Sequence, residues 1–266
     1  MNRLFSATGR ESIKEYIVAL AQKSDDIIAV VQVGSGAAGY IDALSDLDFY
    51  VVVNREQNIA KAMDDLSAGI RKRLQILYFS QMPQRSLQVF LADNYLEIDI
   101  GYVSACGVNA KKASWKVLFD KSGSVGAAMK RSWKEHSKKD EKLNEIYAAY
   151  ANDAWHFFFQ AAIAAKRGRY WRCIGEMDIV RNWLIELKGL RHSLATKRYK
   201  GVDDFPPEEL AVLKNTIPMN FTQETMFTCL NSLADVFYDE IELACNPENI
   251  TVKRHHVKEY IKHASS

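Results

Sequence analysis

The stretch Val33-Gly34-Ser35-Gly36-Ala37-Ala38-Gly39-Tyr40-Ile41-Asp42-Ala43-Leu44-Ser45-Asp46-Leu47-Asp48-Phe49 decides how this chain is read. An apolar run ends in Gly34-Ser35, and ten residues later Asp46 and Asp48 alternate with apolar neighbours. Residues two apart on a strand project from the same face, so both carboxylates point one way beside a glycine-bearing turn. Such a turn can cradle phosphate through its backbone N–H groups, and paired carboxylates can hold a divalent cation. The combination points to phosphoryl or nucleotidyl transfer. A surface position explains the acids less well. The strand continues as Phe49-Tyr50-Val51-Val52-Val53 with little alternation, the pattern of a strand buried on both faces. Carboxylates at the entrance of such a strand are costly unless something uses them.

A second acidic strand follows in Tyr95-Leu96-Glu97-Ile98-Asp99-Ile100-Gly101. Acids are poor strand formers, and two on one face of an apolar strand ask for a reason. Either Glu97 or Asp99 could take the proton of an attacking hydroxyl, and both are candidates for the general base.

Outward from these motifs the chain falls into two textures. The first opens with a helix, marked by Ile13, Tyr16, Ile17 and Leu20 at helical spacing. Strand runs follow at 27–33, 47–53, 74–79, 86–91 and 95–103, with a helix over 58–72 and a last short strand at 117–120. From about Ala127 the periodicity is helical, with candidates over 143–166, 169–187, 222–244 and 252–263. Lys166-Arg167-Gly168, Lys188-Gly189, Pro206-Pro207 and Asn246-Pro247 read as the breaks between them. The expected fold is α+β: a mixed β-sheet flanked by helices over 1–126, then an antiparallel helical bundle over 127–266.

Bulk composition excludes several classes. With 48% hydrophobic and 26% charged residues among 266, the chain is neither disordered nor a bilayer protein in composition. A formal charge of +2 gives no electrostatic case for nucleic-acid binding. The beginning of the chain lacks a secretory apolar run, and Cys106, Cys173, Cys229 and Cys245 are scattered without metal-type spacing, so reduced thiols in a cytoplasmic protein are expected.

The Gly34-Ser35…Asp46-Leu47-Asp48 spacing resembles the signature of the polymerase-beta-type nucleotidyltransferase superfamily: hydrophobic-Gly-[Gly/Ser], then Asp-x-[Asp/Glu]. The length and two-domain layout are similar to bacterial antibiotic nucleotidyltransferases of the lincosamide and streptomycin types. The acidic strand, Val117-Leu118-Phe119-Asp120 and Lys166-Arg167-Gly168 add to the likeness. The resemblance implies that Gly34, Ser35, Ser45 and Lys166 bind the nucleotide and that Asp46 and Asp48 ligate Mg²⁺. Lincosamide enzymes resemble this strand with the acid at Glu97; the broader superfamily pattern favours Asp99. It further implies transfer of AMP from ATP to a hydroxyl of a small molecule, with a lincosamide or aminoglycoside as acceptor, by a monomer or homodimer. The helical domain would bind that acceptor, and Trp155-His156-Phe157-Phe158-Phe159 is dense enough in aromatic rings to serve as acceptor surface or as core. One departure stands out: Ala38 fills the slot where many relatives carry Lys or Arg, leaving Lys130, Arg131, Lys134, Lys166 or Arg169 as substitute cations. Two alternatives stay open: a nucleotidyltransferase acting on protein or RNA, and a nucleotide-binding relic without turnover.

Overall fold

The computed structural model describes residues 4–40, 42, 44–110, 114–136, 140–244 and 250–266. Two compact units divide the chain, Met1–Lys138 and Lys139–Ser266. The expectation drew the boundary at 126/127. The helix that spans that point, Val125–His136, lies with the first unit, where Val125 and Met129 pack with Ala29, Val31 and Val52 of the sheet.

The first unit runs α1 (Ala7–Lys23), β1 (Ile27–Val33), β2 (Leu47–Val53), α2 (Ile59–Arg73), β3 (Ile76–Met82), β4 (Leu87–Ala92), β5 (Glu97–Ser104), β6 (Lys116–Asp120) and α3 (Val125–His136). Ser6 caps α1 by accepting a hydrogen bond from the Gly9 N–H (3.0 Å), which satisfies one of the helix's orphan donors. The six strands form one mixed sheet in the order β3-β4-β5-β2-β1-β6. Only β2 and β5 pair in parallel; the other neighbours are antiparallel. The strands expected at 74–79 and 86–91 lie a little later, as β3 and β4, with Pro83 in the turn between them.

Strand alternation sorts the side chains into two faces. Leu47, Phe49, Val51 and Val53 join Ile98 and Ile100 in a core roofed by Met63, Leu66 and Ile70 of α2 and by Ile13 and Ile17 of α1. Tyr50 and Val52 belong to the opposite face, with Val31, Val103 and Met129. Asp48 and Asp99, at even spacing from Tyr50 and Val103, are on that second face.

The second unit comprises α4 (Asp140–Lys166), α5 (Tyr170–His192), α6 (Pro207–Lys214), α7 (Gln223–Ala244) and α8 (Arg254–Ser265). Ala151, Ala154, Phe158, Ala161 and Ala165 of α4 are buried, and the small side chains of the four alanines let neighbouring helices approach closely. Pro206-Pro207, read from the sequence as a break, is also a start. Pro207 opens α6, at a position where a missing N–H costs nothing. The aromatic cluster divides: Phe158 is fully buried, Phe157 meets the Trp183 ring edge-on and Phe159 stacks on Tyr260 at 3.8 Å, whereas Trp155 and His156 are exposed. Cys173 and Cys229 are buried free thiols and Cys106 an exposed one; Cys245 and Asn246-Pro247 lie outside the described residues. Burial pushes the Cys173 thiol up to about 11. Among the described residues, no helix is long and apolar enough to cross a membrane.

Candidate functional site

The strand entrances bring the acids together. Parallel pairing sets Asp48 directly beside Asp99, one step on from the Leu47–Ile98 partners. Neighbouring strands lie about 4.8 Å apart, so two carboxylates on one face of partnered positions share a single small space. Asp46 and Glu97 stand two residues earlier on the same face of the same two chain segments. Both line a pocket of about 380 Å³, together with Ser35, Ser45, Asp42 and Tyr95. Four sequence-predicted residues (Ser35, Ser45, Asp46 and Glu97) therefore meet in one cavity, and two more, Asp48 and Asp99, follow Asp46 and Glu97 by two residues on the two paired strands without lining it. Glu97 is exposed, whereas Asp46, Asp48 and Asp99 are half-buried.

Gly34 is shaped to Asp48. Its φ of +67° is in the left-handed region, and a Cβ built there would overlap Asp48 Oδ2. The chain turns so tightly over the carboxylate that no side chain fits between them. From Gly34 to Ala38 the backbone forms a 3-10 turn, closed by the Tyr40 N–H donating to the Ser35 carbonyl (3.0 Å). Ser35 thereby faces the pocket from above while Asp46 enters it from the strand.

A buried arginine that the motif reading overlooked fixes the intervening loop. Arg10 of α1 is 3% exposed and donates from one guanidinium nitrogen to the carbonyls of Asp42 (3.1 Å) and Ser45 (2.8 Å). The guanidinium also lies 3.6 Å from the centre of the Tyr40 ring, whose hydroxyl accepts from Gln32 Nε2 (2.6 Å). Within the loop, Asp42 Oδ1 accepts from the Leu44 N–H (2.7 Å), an Asx turn that leads the chain into Ser45-Asp46. The signal for Arg10 was in the sequence: it falls on the same helical stripe as Ile13 and Ile17, and a charge on an apolar stripe needs a partner.

The predicted substitutes for the cation missing at Ala38 are dispersed. Lys130, Arg131 and Lys134 are on α3, and none of the three lines the acidic pocket. Lys166 is exposed in the last turn of α4 and Arg169 precedes α5, both in the helical unit; the nucleotide role of Lys166 rests on the resemblance alone. Asp120, in the run that supported the resemblance, caps α3. It accepts from the N–H groups of Ser122, Gly123 and Val125, and these bonds outweigh the opposing effect of burial to hold its carboxyl below the usual range. Glu176, Asp178 and Glu186 of α5 have partners in Arg172, Arg181 and the Tyr150 hydroxyl.

Among the described residues no group of three or more His, Cys, Asp or Glu is close enough to hold a metal unaided. Mg²⁺ does not require one, since it is usually held by one or two carboxylates together with substrate phosphates and water. Two aspartates side by side beneath a turn that excludes any side chain fit that mode of binding.

No protein-family model and no curated protein matches the chain. Among solved structures it is similar to the crystal structure of an aminoglycoside 6-adenyltransferase from Bacillus subtilis, at 10% identity, with 98% of this chain and 99% of that chain covered and a TM-score of 0.44.

Proposed function

We propose that this chain is a Mg²⁺-dependent nucleotidyltransferase that moves AMP from ATP to a hydroxyl of a small molecule. The observation that carries the reading is the pairing of Asp48 with Asp99 under the Gly34 turn, next to a pocket lined by Ser35, Ser45, Asp46 and Glu97. Like charges at partnered positions repel, and a site that keeps them both has a use for a cation there.

Asp46 and Asp48 would hold Mg²⁺, with Asp99 beside them. Bound there, the ion would neutralise the phosphate oxygens and favour departure of pyrophosphate. Ser35 and Ser45 would hold the triphosphate in the pocket, with Arg10 keeping their loop in place from behind. In the transfer, the acceptor oxygen forms a bond to the α-phosphorus as the bond from that phosphorus to the pyrophosphate oxygen breaks. The hydroxyl proton passes to a carboxylate of β5. Asp99, partnered with Asp48 and less exposed than Glu97, is the better placed of the two for that proton.

Pyrophosphate release from Mg·ATP, screened over lincosamides, aminoglycosides and other hydroxyl compounds, tests the reading. Release that needs both an acceptor and Mg²⁺, and that disappears in Asp46→Asn, supports it. Release that persists in Asp46→Asn defeats the metal assignment, and Mg·ATP binding without release for any acceptor favours the relic.

A further inference from the structure

A second cavity lies on the same sheet face, farther along the same two strands. It holds about 230 Å³, and its floor is Val31, Tyr50, Val52, Gly101 and Val103, with Met129 of α3 as one wall. Tyr50 follows Asp48 by two residues and Gly101 follows Asp99 by two, so the floor begins about 7 Å along the strands from the paired carboxylates. The Tyr50 ring lies across β5 at Gly101, where a Cβ would come within 2.9 Å of two ring carbons. One aromatic side chain thus separates the acids from the cavity.

We infer that this cavity is the acceptor subsite, and that it takes a small ring-bearing molecule with an anionic group rather than a polycation. The inference rests on the transferase reading for the word acceptor, but the binding chemistry is argued from the lining. The acidic pocket opens at the strand entrances and this cavity beyond them, so the paired aspartates stand between the two. An in-line displacement needs the attacking hydroxyl and the departing pyrophosphate on opposite sides of the reacting phosphorus, and a cavity on the far side of the aspartates from the acidic pocket meets that need.

Charge and size then narrow the occupant. Among the described residues the lining contains one cation, Arg85, and no carboxylate. Arg85 is exposed on the turn after β3, and the rim beside it is fixed: Ser86 has a φ of +47° and its carbonyl accepts from the Tyr102 N–H (2.7 Å). Asn109 on the same rim has its amide tied back to the Gly107 carbonyl (3.1 Å). An anionic group at the rim would meet the Arg85 guanidinium, and a ring would pack on Tyr50 and the three valines. Several ammonium groups would find the Arg85 cation on the rim and no carboxylate among the described lining residues to pair with. A cavity of about 150 Å³ accommodates benzene, so one this size takes a single or fused ring and not a chain of aminosugars.

Methyl-detected NMR on the full chain, following valine and methionine resonances, tests the assignment. Cytidine 5′-monophosphate and glucose 6-phosphate serve as anionic probes, and kanamycin as a hydroxylated polycation, each added with a non-hydrolysable Mg·ATP analogue present. The expected result is saturable shifts of the Val52, Val103 and Met129 methyls with at least one anionic probe. Affinity should fall about tenfold or more in Arg85→Glu, or in Arg85→Gln if the former is poorly folded. Which probe binds separates a planar base from a sugar ring as the recognised part. Kanamycin shifting these methyls, or neither anionic probe doing so, overturns the inference. Asp48→Asn separates the two readings: it should lower pyrophosphate release by about 10²–10³-fold and leave the probe-induced shifts in place, whereas a failed transferase reading shows no release even in the unaltered protein.

Discussion

Carboxylates keep opposite company in the two units. In the helical unit, Glu240 of α7 is 1% exposed and receives hydrogen bonds from Arg191 (2.8 Å), Tyr147 (2.9 Å) and Lys188 (3.1 Å). Glu209 of α6 is held by Lys188 (2.7 Å), His192 (2.9 Å) and Arg191 (3.0 Å). Each acid there is matched by bases, and the network joins α4, α5, α6 and α7. In the sheet unit, Asp48 is partnered with another aspartate, and the pocket beside it is lined by three further acids. The first arrangement is what a fold needs to bury charge; the second is the one on which the proposed cation site rests. The difference shows that burial of acids alone does not mark a site. The identity of their neighbours does.

The contrast can be broken most strongly at Glu240. Glu240→Gln removes one of the two acids that hold Lys188, which is buried, and Arg191, leaving Glu209 alone to pair with both, and should destabilise the protein by about 1–3 kcal/mol in a urea titration. Asp48→Asn is the mirror experiment. Its melting temperature should shift far less than that of Glu240→Gln while pyrophosphate release falls by about 10²–10³-fold. A loss of stability comparable to Glu240→Gln would mean that Asp48 is a structural acid after all.

Gly34→Ala sharpens the comparison from the backbone side. A left-handed φ costs an L-residue about 1–2 kcal/mol, and the added Cβ would displace the Asp48 carboxylate, so both stability and transfer should drop. Calorimetry and the pyrophosphate assay on one preparation read the two effects together. The smallest effect is the response to acid. Burial would raise the Glu209 carboxyl, but the bonds from Lys188, His192 and Arg191 prevail and hold it at about 2, against an ordinary value of 4.5. The unfolded chain binds this proton first, so Glu209 contributes fully above about pH 4.5. Its contribution declines as pH falls, by roughly 1 kcal/mol at pH 4, and is gone below about pH 2. Glu209→Gln should flatten that part of the pH–stability curve, and an unchanged curve would remove Glu209 from the network.

Much of this was legible in the residues. The runs at 27–33 and 47–53 coincide with β1 and β2, because strands buried on both faces carry uninterrupted apolar sequence. The pairing of acids was visible as alternation on each strand. What could not be read was α6, whose two prolines look like an interruption until the second is recognised as a helix start. The role of α3 was equally hidden, since an amphipathic helix does not record which neighbour its apolar side will meet.

Spacing along the chain determined that Asp46 and Asp48 share a face, and that Glu97 and Asp99 share one, because the strand repeat is a local property of the backbone. Only the tertiary structure decided that β2 lies parallel to β5 in the register that sets Asp48 beside Asp99, that Arg10 reaches across to the Asp42–Ser45 loop, and that a second cavity opens past Tyr50. Contacts between residues tens of positions apart depend on how whole elements pack, and no periodicity within one element encodes its partner.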